Sequence, residues 1–70
     1  MDMRKLVGRN AKRFRLARGL SQEQLAETSG FTQQYISDLE RGLRNPTVVT
    51  LFELAQALRV TPVDLISPEI

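Results

Sequence analysis

Seventy residues with ten Lys and Arg, eight Asp and Glu, and neither cysteine nor histidine exclude most classes of protein at once. A chain this short forms one domain whose core supplies only about 3–5 kcal/mol, with no disulfide and no zinc site built on Cys or His to support it. At 41% apolar and 26% charged it is not compositionally disordered, and its apolar runs fall far short of the roughly 18 residues that span a bilayer.

The N-terminus is charged at Asp2, Arg4 and Lys5 and is followed by interrupted apolar positions, which is not the pattern of a signal peptide. The expectation is a soluble, cytoplasmic, globular domain. Met3, Val7, Ala11 and Phe14 recur at helical spacing and stop at Gly19, predicting a first helix over roughly residues 3 to 18. Ser21, an N-cap with Gln24 three residues on, opens a second helix of about two turns that carries Leu25 and Ala26 and ends at Gly30. Thr32 caps a third, with Ile36 and Leu39 inward and Gly42 as its stop. After a short loop through Pro46, Thr47 caps a fourth helix with Val48, Leu51, Leu54, Ala55 and Leu58 as its inward stripe. Thr61 followed by Pro62 opens a short fifth helix with Leu65 and Ile66. No segment alternates with the period of a strand, so the fold class is all-α: a single domain over residues 1 to 70, held by packing because each helix is too short to stand alone.

Charge is segregated. Residues 1 to 20 hold seven basic residues against one acid, whereas residues 21 to 40 hold four acids and no base. Such a basic segment meets nucleic acid or an acidic partner, or else it solvates one helix face.

Residues 21 to 41 combine two capped helices with a glycine-centred turn. That is the helix-turn-helix arrangement. Ala26 is small where the helices approach, Gly30 suits the turn, and Ile36 and Leu39 anchor the second helix. With those two inward, the opposite face presents Gln33, Gln34, Ser37, Asp38 and Arg41. Such a helix fits the major groove, and glutamine offers a donor and an acceptor to adenine N7 and N6. Gln33 and Gln34 are therefore candidates for base readout, against the plainer reading of solvated side chains. Asp38 is open between accepting from a cytosine amino group, pairing with a base-contacting Arg, an intramolecular pair with Arg41, and simple solvation. Gln22 lies at a helix start whose amides favour phosphate, and Arg44 and Asn45 lie in a loop that can hold a second phosphate. Contacts of this kind fix register without carrying sequence information. Tyr35 either donates its hydroxyl to the DNA backbone or lies half-buried against the second helix.

The chain resembles the Cro/repressor-type helix-turn-helix family, which includes phage repressors and xenobiotic-response-element-like bacterial regulators. The pieces that carry the resemblance are Arg18-Gly19-Leu20-Ser21-Gln22 with Leu25-Ala26, Tyr35-Ile36-Ser37 with Leu39-Glu40-Arg41-Gly42, Arg44-Asn45-Pro46, and the Thr50-Leu51, Leu54-Ala55, Ala57-Leu58 pattern. The resemblance implies a compact five-helix bundle of the lambda-repressor-like type, a dimer on an inverted repeat of double-stranded DNA, and a recognition helix at about residues 33 to 41 whose first residues enter the groove. It implies that Gln22 touches the DNA backbone and buttresses that helix. Thr32-Gln33-Gln34 resembles some lambdoid phage repressors, with Thr32 toward the backbone. It also implies an ion pair between Arg15 and Glu40; the alternative is two independent surface charges. Asp38 departs from the Arg, Lys or Gln common at its position.

Val49 and Phe52 fall on the far side of the fourth helix, and with Val63 and the C-terminal Ile70 they form a candidate dimer patch, although scattered apolar surface needs no explanation. The competing function is a protein-interaction module such as the antitoxin of a toxin–antitoxin pair. About four residues follow the last predicted helix, which leaves little to wrap a toxin. No enzyme is expected, since no His or Cys is present, the carboxylates are read as scattered on solvent-facing positions, and the size leaves little room for a substrate pocket. No cofactor, metal or small-molecule ligand is implied.

Overall fold

In the computed structural model, which describes residues 1 to 68, five helices follow one another: α1 (Met3–Ala17), α2 (Gln22–Ser29), α3 (Gln33–Glu40), α4 (Val48–Leu58) and α5 (Pro62–Ile66). Ile70, assigned above to the apolar patch, lies outside the described residues. Each helix starts where a short polar side chain satisfies amides that have no partner in the first turn. Asp2 accepts from the amides of Arg4 and Lys5, and Thr32 and Thr47 accept from those of Tyr35 and Thr50. Ser21 with Gln24 and Thr61 with Asp64 form reciprocal capping boxes; only the first is anticipated by the sequence reading.

α1 lies along α3 and α5, α2 sits against α3 and α4, and α4 meets α5. Ala11, Leu25, Ile36, Leu39, Leu54, Ala55, Leu58 and Leu65 form the core, with Phe14, Phe31, Tyr35 and Leu51 packed around it. The result measures 30 × 21 × 20 Å. Three expected inward positions are corrected: Met3, Val48 and Ile66 are exposed. Met3 and Val48 occupy the first turns of their helices, and on α5 the buried position is Leu65 alone. On α1 the buried face is Leu6, Val7, Asn10, Ala11 and Arg15, so polar side chains share the inner stripe.

Gly8 sets the spacing between α1 and the end of α3. A Cβ there would stand 2.4 Å from the carbonyl oxygen of Leu39 and 2.8 Å from that of Glu40, inside any tolerable contact. Nearby, Gly42 has φ of 78° and backs onto Lys5. Gly8→Ala gains about 1 kcal/mol of helix propensity and loses more to overpacking. A net loss of about 2 kcal/mol is expected, seen as a melting temperature about 10 °C lower; an unchanged or higher melting point would show that α1 slides to make room.

Candidate nucleic-acid interface

Ile36 and Leu39 are buried and fix the rotation of α3 about its axis, so the opposite face is set by the core rather than by its own polarity. Gln33, Gln34 and Arg41 are exposed on that face, with Ser37 and Asp38 half-buried between them. The turn before it runs through Gly30 at φ 83°, a left-handed conformation that glycine adopts without strain.

The inner end of α3 is held by charge. Arg15 Nε donates to Glu40 Oε2 at 2.6 Å and Arg15 Nη2 to Glu40 Oε1 at 3.0 Å, a bidentate pair. Arg15 Nη1 also donates to the carbonyl of Leu20 at 2.8 Å, and Gln22 Nε2 donates to Glu40 Oε1 at 3.1 Å. One carboxylate thus ties α1, the start of α2 and the end of α3 together. The Glu40 side chain is only 3% exposed, which corrects the expectation that every carboxylate faces solvent. Gln22 buttresses α3 through that same carboxylate.

On the outer surface Asp38 gathers three neighbours. Its Oδ1 accepts from Gln34 Nε2 at 2.9 Å and its Oδ2 from Arg44 Nη2 at 3.4 Å, while Arg41 Nη1 stands 3.9 Å from Oδ1. Of the roles left open for Asp38, the intramolecular one is present in the protein alone, and it includes Arg44 as well as Arg41. Arg44 also lies over the Tyr35 ring, 5.1 Å from its centroid, and Tyr35 is half-buried with its ring 5.1 Å from that of Phe31. Phe31 is absent from the sequence-based candidates although its spacing four residues before Tyr35 could have signalled the stack. Thr32 accepts from the Tyr35 amide, which leaves its hydroxyl proton available to donate. Asn45 is exposed in the loop after Arg44.

Val49, Phe52 and Val63 lie away from this face on α4 and α5, and all three are exposed, at 67%, 52% and 63%. An open depression of about 410 Å³ lined by Arg18, Leu20, Thr28, Ala57 and Arg59 is larger than the small size of the chain suggests. Among the described residues no group of three or more His, Cys, Asp or Glu could hold a metal ion, and no helix is long and apolar enough to cross a membrane.

Two helices joined across a left-handed glycine, the second presenting a polar face braced from behind by an ion pair, define a helix-turn-helix domain within a lambda-repressor-like five-helix bundle. The helix-turn-helix family model matches residues 12–65, and the chain belongs to that family of DNA-binding transcription regulators. It is 63% identical over 68 residues to y4dJ, an HTH-type transcriptional regulator of Sinorhizobium fredii (strain NBRC 101917 / NGR234), covering 97% of this chain and 88% of that one. Among solved structures it is similar to a hypothetical transcription factor from Neisseria, with a TM-score of 0.92 and 34% identity over 96% of this chain and 77% of the other. It is also similar to SinR, a master regulator for biofilm formation solved in complex with DNA, with a TM-score of 0.83 and 32% identity over 87% of this chain and 98% of the other.

Proposed function

We propose that the protein is a sequence-specific transcription regulator that binds an inverted-repeat operator as a homodimer, with α3 in the major groove. The observation that carries this reading is the outer face of α3, where Gln33 and Gln34 stand exposed on a helix whose rotation the core has fixed. Gln33, Gln34, Ser37 and Asp38 face the bases in this reading. Gln22, Thr32, Tyr35, Arg41, Arg44 and Asn45 face the phosphates on either side, where they set register. A DNA-binding regulator of this kind works in the cytoplasm.

The dimer rests on Val49, Phe52 and Val63, exposed on α4 and α5, outside the helix-turn-helix pair. Two recognition helices about 34 Å apart then read successive major grooves, and the twofold axis of the protein imposes a near-palindrome on its site. Selection from a random DNA pool at physiological salt, followed by sedimentation with the selected duplex, tests both parts. A palindromic consensus bound by two chains is expected, and no enrichment would overturn the reading. Phe52→Lys places a charge in the apolar patch and is expected to weaken self-association at least tenfold while leaving the melting of the monomer within about 0.5 kcal/mol of the parent; a dimer that sediments unchanged would remove Phe52 from the interface.

A further inference from the structure

The exposed face of α3 holds one acid, and that acid is not idle. Asp38 lies one helical turn after Gln34 and accepts from its amide nitrogen at 2.9 Å. The same carboxylate receives Arg44 at 3.4 Å and has Arg41 at 3.9 Å. We propose that Asp38 is a positioning residue for base readout, holding the Gln34 amide in a single orientation and drawing Arg41 and Arg44 back along α3 until DNA is bound. The proposal rests on the reading of α3 as the recognition helix and names a determinant of its specificity.

The chemistry is that of an amide with two unlike ends. A free glutamine can turn its amide over and offer either a donor or an acceptor at a given point, which lets it satisfy adenine, guanine or thymine edges in different ways. A carboxylate accepts and does not donate, so it tolerates only the nitrogen end of Gln34. The carbonyl Oε1 is therefore turned away from Asp38 and the second N–H remains available. An acceptor fixed in that direction requires a donor from the base: the N6 amino group of adenine or the N4 amino group of cytosine. It rejects guanine O6 and thymine O4. With the second N–H meeting N7, adenine is the base that satisfies both ends.

Asp38 acts on the arginines in the opposite sense. Arg44 is laid over Tyr35 and pinned to Asp38, and Arg41 is close enough to feel the same charge. Phosphates must draw both guanidinium groups away from an internal partner, which weakens binding to every sequence alike. Only a site that also satisfies Gln34 recovers the difference.

Asp38→Asn keeps the shape and removes the constraint, because an asparagine amide can face either end of Gln34. The experiment is selection of bound DNA from a random pool by the full chain, carried out on the parent, Asp38→Asn, Asp38→Ser and Gln34→Ala, with affinities measured on the parent consensus and on a scrambled duplex. The expected result is that both Asp38 variants lose about tenfold of preference at the base position where Gln34→Ala loses it, and bind the scrambled duplex several-fold more tightly than the parent does. Adding Asp38→Asn to Gln34→Ala should cause no further loss at that position. Loss at a different base pair would mean that Asp38 reads a base itself and would overturn the proposal, as would an unchanged consensus. If the parent enriches no sequence, the reading of α3 as a recognition helix fails and the proposal falls with it. Asp38 is partly exposed, and Asp38→Ser serves where Asp38→Asn does not melt cooperatively.

Discussion

Arg15→Ala is expected to destabilise the domain by about 3–5 kcal/mol. That is comparable to the whole stability a core of this size supplies. The reason is the environment of the partner: the Glu40 side chain is 3% exposed and that of Arg15 9%. Removing the guanidinium leaves a buried carboxylate with the Gln22 amide as its remaining side-chain donor, and it leaves the Leu20 carbonyl without its donor as well. In a melting experiment the loss corresponds to a fall of about 15 °C or more. Glu40→Ala should behave similarly, since it strands the positive charge instead. The pair is not, by this argument, the best possible filling for its site. Arg15→Met combined with Glu40→Leu removes both charges and replaces their volume, and should be more stable than either single substitution to alanine. A shift of only a degree or two for Arg15→Ala would reduce the pair to two surface charges.

Asn10→Ala is expected to cost about 2–4 kcal/mol and to act first on α5. Asn10 is wholly buried, and its Nδ2 donates to the carbonyls of Leu65 at 2.9 Å and Ser67 at 2.8 Å, with that of Asp64 at 3.4 Å. α5 has five residues, too few to hold a helix without tertiary support, and its final carbonyls have no partner within the helix. One amide from α1 answers that need. Alanine leaves the carbonyls to whatever water can enter, and Asn10→Asp is worse because it sets a charged acceptor against acceptors. Hydrogen exchange on the α5 amides should rise in both variants before global melting is reached. Parent-like exchange in both would mean that Leu65 alone keeps α5 in place. Since Val63 is presented by α5, loosening this helix also bears on the proposed dimer.

Local rules made much of this architecture legible. Ser21 and Gln24 cap by contacts within four residues, Thr47 and Thr61 likewise, and Gly19, Gly30 and Gly42 take the left-handed conformations that end helices. A periodic stripe, however, says which side of a helix is apolar and not how far its neighbours extend. Met3, Val48 and Ile66 continue their stripes into helix ends that stay exposed. Buried polar residues are harder still. Asn10 shares the inner face of α1 with Leu6 and Ala11, and nothing near it in the sequence announces carbonyls more than fifty residues away. Gly8 reads as a weak point in a helix until the carbonyls of Leu39 and Glu40 are found against it. On the outer face of α3, helical periodicity exposes Gln33 and Gln34 as the structure does, but the link from Gln34 through Asp38 to Arg44 crosses from a helix into a loop whose path the sequence does not define.

The polar ties of α1 also order events during synthesis. Arg15 meets Glu40, Arg18 Nε and Nη2 close the end of α4 by donating to the carbonyls of Leu58 and Arg59 at 3.0 Å, and Asn10 reaches Leu65 and Ser67. A chain emerging from its N-terminus therefore makes α1 first and completes it last. Until Ser67 has cleared the ribosome, Asn10 must keep its water, and α1 cannot bury its inner face at low cost. Nascent chains stopped short of that residue should leave α5 undocked from α1, and that contact should close only when the end of α5 arrives.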